Sequence, residues 1–162
     1  MHLLLVAQLL VLLALANGSP VAAKKILSTY LDYPLDGRAC FLDGRPLLGA
    51  SKTVRGVVFA IVTASVAAPL IGLSVVVGVV AGAAAMLGDL LSSFVKRRLG
   101  LPPSSMALGL DQVPESMLPA FASRWFEPLS LLDVALVVGL FFVGELVLSR
   151  ILYIWKIRDR PY

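Results

Sequence analysis

Hydrophobic positions in this chain come in long unbroken runs, without the alternation of a half-buried strand or the narrow stripe of a soluble amphipathic helix. Residues 3–23 are apolar apart from Gln8, Asn17 and Ser19, long enough as a helix to cross about 30 Å of hydrocarbon. A second apolar stretch runs from Val57 to Gly88, too long for one span. Pro69, Gly72 and Ser74 divide it into spans at 54–71 and 74–96, joined by almost no loop. Residues 113–129 are less hydrophobic and carry Glu115, Arg124 and Glu127. Residues 131–155 form a clear last span. The small residues between Gly78 and Ser93, including Gly78, Gly82 and Ala83, suit close helix packing in lipid. The expected fold is an all-α polytopic membrane protein with one integral domain over 1–162. Five transmembrane helices and the loops 24–53 and 97–112 would form a polar cup.

Charge orients these spans. Lys24, Lys25, Arg38, Arg45, Lys52 and Arg55 fall in the first long loop, Lys96, Arg97 and Arg98 in the second, and Lys156, Arg158 and Arg160 in the tail beyond Tyr153 and Trp155. Neither short turn, near Gly72 or near Ser130, holds a Lys or Arg. The positive-inside rule then predicts a multi-pass protein of the cell membrane with an outside N-terminus and a cytoplasmic C-terminus. The first run has no positive residues before it and two lysines after it, so it reads as an uncleaved span and not as a signal peptide.

Composition narrows the chemistry. Of the 162 residues 59% are hydrophobic and 15% charged, leaving no polar surface for a soluble domain. The single histidine is His2 and the single cysteine Cys40, so histidine metal sites, serine–histidine triads and internal disulfides are excluded. The net charge of +4 is spread between apolar runs instead of along one soluble face. That distribution points away from nucleic acid and towards anionic lipid or a phosphate substrate.

Two groups of polar residues carry candidate chemistry. The first loop contains Asp43-Gly44-Arg45 and then Gly49-Ala50-Ser51-Lys52-Thr53-Val54-Arg55-Gly56. Glycines allow close backbone approach to an anion, and Lys, Thr and Arg before a helix add donors at its positive end. A polyphosphate is the natural guest, although the spacing is not that of a P-loop. In the second group, Asp89, Ser92, Ser93 and Lys96 share one face of the third span, with Arg97 beside them. An intramembrane carboxylate such as Asp89 costs roughly 2.5–3.5 kcal/mol to insert and is a functional candidate, its alternative being a structural pair with Arg124 or Lys96. Asp111 and Glu115 lie one turn apart where the next helix begins, with Pro114 suited to a helix start. Oxygen-only donors beside a phosphate site indicate Mg²⁺. Arg124, Glu127 and Glu145 read as buried structural charges, and Pro102 to Ser105 as a connector.

These two groups resemble a known family. Gly88-Asp89-Leu90-Leu91-Ser92-Ser93-Phe94-Val95-Lys96-Arg97, with Asp111 downstream, is similar to the signature region of phosphatidate cytidylyltransferases. Asp43-Gly44-Arg45, the Gly49 to Gly56 segment, the short length and the five spans are more specifically similar to the archaeal CDP-archaeol synthase family. Arg98-Leu99-Gly100 follows Arg97 where the larger enzymes continue with Lys-Asp, and their His-Gly-Gly element is missing. The resemblance implies a Mg²⁺-dependent transfer of a cytidylyl group from CTP to an isoprenoid glycerol phosphate lipid, releasing pyrophosphate. It implies Asp89 and Asp111 as metal ligands with Glu115 as a further partner, and Lys96 with them in catalysis. Lys52, Arg55, Arg97 and Ser93 would bind phosphates, and Asp43, Gly49 and Thr53 would support the nucleotide loop. Two other readings stay open: a CTP-dependent polyprenol kinase, which needs a base for its hydroxyl substrate, and a small transporter or scaffold, which needs charges along a path through the bilayer.

Overall fold

A computed structural model describes residues 1–27 and 30–154. The tail positions Trp155, Lys156, Arg158 and Arg160 lie outside the described residues. The chain is all helical: α1 (Leu3–Leu27), α2 (Val54–Leu70), α3 (Val75–Arg98), α4 (Gln112–Ser123) and α5 (Leu131–Ile154). The described residues contain no strand, only isolated bridges between Pro34 and Thr53 and between Cys40 and Pro46, which pin the first long loop. Three helices, α1, α3 and α5, are long and apolar enough to cross a membrane, and α2 is a shorter apolar helix. At 1.5 Å per residue α2 is about 25 Å long, and α4 only about 18 Å. The segment read from sequence as 113–129 therefore stops at Ser123, well short of a bilayer crossing. Successive turns at Arg124, Trp125 and Phe126 end it, after which Arg124 donates Nε–H to the Leu129 carbonyl at 3.0 Å.

Helix α3 is the central element. It packs on α2 and on α4, while α1 closes the bundle against α2 and α5. Small residues make those approaches close. A Cβ added at Gly78 would lie 2.8 Å from the Ser65 Cα of α2, and one at Gly82 would lie 3.0 Å from the Ile61 Cα. At Gly88 an added Cβ would collide with the Pro114 carbonyl and sit 2.7 Å from the Glu115 nitrogen. Backbone polar groups are satisfied within each helix, so in lipid such contact rests on packing of small residues. The core joins Leu9, Leu12 and Leu13 of α1 to Ala60 and Ala64 of α2, Val77 and Ala81 of α3, and Val137 of α5.

Helix ends follow local rules. The Thr53 hydroxyl accepts from Gly56 N–H at 3.2 Å and starts α2, and Ser74 accepts from Val77 N–H at 3.3 Å and starts α3. Ser130 and Asp133 cap α5 reciprocally: Asp133 N–H donates to Ser130 Oγ at 3.2 Å and Ser130 N–H to Asp133 Oδ2 at 2.9 Å. His2 closes the same corner, its backbone N–H 2.9 Å and its Nδ1 3.1 Å from the Asp133 carboxylate. Because His2 begins α1 and Asp133 begins α5, the two helices run side by side in the same direction.

Candidate active site

The Lys- and Arg-rich end of the bundle is built from the last turns of α3, the first turns of α2 and α4, and the two long loops. Gly88 lets α4 sit directly against α3 and thereby places Glu115 beside Asp89, where the two carboxyl groups interact. Lys52, arriving from the first loop, donates to both Asp89 oxygens at 2.5 and 2.6 Å. Asn17 of α1 donates Nδ2–H to Glu115 Oε2 at 3.1 Å, and Glu145 of α5 acts on Glu115 electrostatically. Five segments of the chain thus meet at one pair of carboxylates.

A second centre lies beside it. Lys96 is 7% exposed, and its Nζ lies 2.6 Å from Asp111 Oδ1 and 2.9 Å from the Ser105 carbonyl. The other Asp111 oxygen accepts from Ala107 N–H at 2.8 Å. Ser92 ties the two centres together, its hydroxyl between the Gly88 carbonyl at 2.9 Å and the Leu110 carbonyl at 2.6 Å. Arg97 is buried and donates to the Pro102 carbonyl at 2.7 Å, and its Nη1 would lie 3.1 Å from a Cβ added at Gly49. Gly49, held at a φ of +102°, therefore lets the first loop cross the guanidinium of the second.

Other predicted residues hold the framework. Arg55 is buried and binds the first loop through the Tyr30 carbonyl at 2.7 Å and Asp32 at 3.0 Å. Thr53 caps α2, and Ser93 is buried on α3. Asp43 pairs with Arg98 at 2.9 Å. Asp89 pairs with Lys52, and not with Arg124 or Lys96 as the structural alternative from sequence required.

Residues not singled out as site residues from sequence also matter here. Asp36 accepts from Leu48 N–H at 2.9 Å, Arg38 N–H at 3.0 Å and Gly49 N–H at 3.3 Å, so it shapes the loop that delivers Lys52. Arg98 reaches the Arg45 carbonyl at 3.2 Å and the Pro46 carbonyl at 2.5 Å, and stacks on Phe41 and Phe94 with its guanidinium carbon 4.8 and 5.0 Å from the ring centres. Arg45 returns the contact to the Arg98 carbonyl. A polar residue in an apolar span was the available signal for Asn17. For Asp36 and Arg98 only the folded loop reveals the role.

The donor set fits a hard divalent cation in part. Asp89 and Glu115 offer carboxyl oxygens side by side, with Lys52 on Asp89, and oxygen donors of this kind suit a cation that shares phosphate oxygens and water. Asp111 stands on its own lysine, and among the described residues no three acidic, cysteine or histidine side chains form a ready-made metal cluster.

Comparisons with known proteins converge on one family. The family model described as CarS-like, CDP-archaeol synthase, matches residues 2–162. The chain is 32% identical over 154 residues to a CDP-archaeol synthase of Sulfurisphaera tokodaii, covering 91% of this chain and 89% of that protein. It is 32% identical over 152 residues to one from Pyrobaculum aerophilum, covering 91% of both. A match to the Hyperthermus butylicus protein of the same name reaches 44% identity over 104 residues, 60% of this chain and 59% of that relative, under two thirds of its length. A solved structure described as an intramembrane enzyme for archaeal membrane lipids biosynthesis superposes with a TM-score of 0.71 at 25% identity, covering 86% of this chain and 91% of that one. On the full-length match and these relatives together, the chain belongs to the CarS-like family of CDP-archaeol synthases.

Proposed function

We propose that this protein transfers the cytidylyl group of CTP to unsaturated archaetidic acid, 2,3-bis-O-geranylgeranyl-sn-glycerol 1-phosphate, giving the CDP-lipid and pyrophosphate. The observation that carries the reading is the Lys52–Asp89–Glu115 centre beside Lys96 and Arg97, in a chain of this family. The lipid phosphate oxygen is itself the nucleophile. It forms a bond to the α-phosphorus of CTP as the bond from that phosphorus to the β-phosphate oxygen breaks and pyrophosphate leaves. The protein need only align the two phosphates and neutralise charge, with no activated Ser or Cys.

Lys52 sits in a loop, and its three donors suit either a carboxylate or a triphosphate. Lys96 and Arg97 add fixed positive charge at the end of α3. Asp89 and Glu115, with Asp111 nearby, would hold Mg²⁺, which when bound supplies neutralisation of the phosphate oxygens. The loops would face the cytoplasm, where CTP is found, with the N-terminus outside and the C-terminus inside. The lipid chains would then stay in the bilayer.

The test uses purified protein in lipid with Mg²⁺, the geranylgeranyl glycerol phosphate and CTP labelled at either the α- or the γ-phosphorus. Cytidylyl transfer puts α-label into the lipid fraction and γ-label into pyrophosphate. Entry of γ-label alone into a lipid alcohol would make the protein a kinase, and movement of neither label would return the transporter reading.

A further inference from the structure

The early end of α4 moves Arg124 out of the apolar span in which the sequence placed it. Close contact with Gly88 of α3 fixes the level of Pro114 in the bundle. From that level α4 rises about 14 Å to Ser123, while α3 extends about 20 Å back to its own start at Val75. The turn after α4 leads into α5, which begins beside the start of α1. Arg124 therefore stands about one helical turn short of the membrane face opposite the candidate active site. The other described Lys and Arg residues lie towards the active-site end, in the last turns of α1, α3 and α5, in the first loop, or at the start of α2.

A cavity of about 440 Å³ opens beside this turn, lined by Phe121, Ala122, Arg124 and Trp125; ligand sites usually measure about 300–1,000 Å³. Arg124 is exposed. Its Nε–H is committed to the Leu129 carbonyl at 3.0 Å, and its guanidinium carbon stands 6.0 Å from the Phe121 ring centre. Its two Nη groups have no partner among the described residues, and Glu127, three residues on, forms no ion pair with it. Around it Trp125 is 88% exposed, Phe126 51% and Phe121 42%.

We infer that this cleft binds the phosphodiester headgroup of a membrane phospholipid in the leaflet away from the candidate active site, and that the bound lipid fixes the depth of α4. Charge names the ligand: a lone guanidinium with two free donor groups matches the paired oxygens of a phosphate. The aromatic residues name its source. Phe121, Trp125 and Phe126 offer an exposed apolar rim at the level where Trp commonly meets the membrane interface, so hydrocarbon chains below the headgroup have a surface to lie on. A soluble anion would have no use for that rim. Helix α4 is too short to set its own depth by spanning the bilayer, and Gly88 positions only its beginning. A headgroup held at Arg124 positions the other end. The inference is independent of the reaction at the opposite face.

The experiment uses the full chain in dodecyl maltoside, a detergent without phosphate. Phosphatidylglycerol carrying a diazirine beside its glycerol is titrated in and photolysed, and the labelled peptides are identified by mass spectrometry. Wild type should label residues 121–126, about tenfold more strongly than with the matching diazirine diacylglycerol, the scale of one charge-assisted hydrogen bond. Arg124→Gln should lose that difference while labelling of the active-site end stays unchanged. Arg124→Lys should recover part of it, although it cannot restore the Nε–H contact to Leu129; a purely structural arginine would show no such recovery. Added phosphatidylglycerol should also raise the melting temperature of wild type by more than that of Arg124→Gln. Equal labelling by diacylglycerol would reduce the cleft to a seat for hydrocarbon chains and overturn the inference. So would unchanged labelling in Arg124→Gln, or displacement of the label by millimolar glycerol phosphate, which would make this a site for soluble anions.

Discussion

At the end of the bundle where α1 and α5 begin, buried polar groups are answered by helix caps or by a helix terminus. Asp133 is fully buried and is held by Ser130, three residues away, and by His2, while Gln8 donates its amide to the Ile71 carbonyl that ends α2. At the opposite end ion pairs predominate. Lys52 reaches 37 residues along the chain to Asp89, Asn17 reaches 98 to Glu115, and Lys96 and Arg97 are buried beside Asp111. The first arrangement is what stability asks for, since caps satisfy backbone groups with few buried charges. The second buries several ions, each costing several kcal/mol to desolvate, far more than packing three helix ends requires. Such an expense at one end of a membrane bundle marks chemistry.

The sharpest way to break this contrast is to neutralise the charged end without reshaping it. Asp89→Asn keeps size and most hydrogen bonding, so the melting temperature in detergent should move by no more than a few degrees. Activity should fall by about 10²–10³ in kcat/KM, the scale for removing one preorganised electrostatic group. A variant that retained full activity at limiting Mg²⁺ would remove Asp89 from the metal and reduce the Lys52 pair to a structural one.

Gly88→Val tests how the charged end is assembled. Its branched side chain would meet the Pro114 backbone and push α4 from α3. Overpacking of this kind costs typically 1–3 kcal/mol. Because the same shift draws Glu115 from Asp89, stability and activity should fall together, with thermal melts and label transfer measured on one preparation. Unchanged activity in a destabilised protein would show that the Asp89–Glu115 contact is dispensable.

Asp133→Ala is the converse probe at the other end. It deletes the α5 cap and the His2 contact at once, and should cost about 1–2 kcal/mol. Lipid cytidylylation by the surviving folded fraction should stay at the wild-type rate. A large loss of kcat at normal stability would mean that the two ends are coupled and that the contrast between them is false.

Much of this division was legible in the hydropathy pattern. The long apolar runs announced the helices, Pro69, Gly72 and Ser74 divided the second span from the third, and Asp89 stood out because a carboxylate in an apolar run is costly. Contacts that depend on which helix faces which were not legible. Nothing local pairs Lys52 with Asp89 or Asn17 with Glu115, and the shortness of α4 was hidden because Phe121, Trp125 and Phe126 extend its hydropathy past the point where its backbone turns. Asp133 was overlooked although Ser130-Leu131-Leu132-Asp133 has the spacing of a capping box, here closed by Asp in place of the usual Glu or Gln.

The smallest predicted effect concerns the loop that carries Lys52 and links the two lessons, since Asp36 is a local cap placed at the charged end. Partial burial pushes its carboxyl pKa up, but the backbone N–H groups of Leu48, Arg38 and Gly49 together pull it further down, so the net shift is below the ordinary carboxylate value. A carboxylate depressed in the folded state stabilises it fully above its unfolded pKa, about 3.9 for Asp. That contribution is lost as pH falls through the lower folded value. Because Asp36 is half-exposed, solvent screening holds the effect under about 1 kcal/mol. Between pH 7 and 5 the loop should therefore be insensitive to acid. Below pH 4, proteolysis of the 30–53 loop should quicken in wild type, while Asp36→Asn should be cut faster at neutral pH with a shallower acid dependence. If both proteins showed the same acid profile, Asp36 would not be the group that holds Gly49 and Leu48 in place, and the loop's order would have to come from its other contacts, those of Arg98, Arg55 and Lys52.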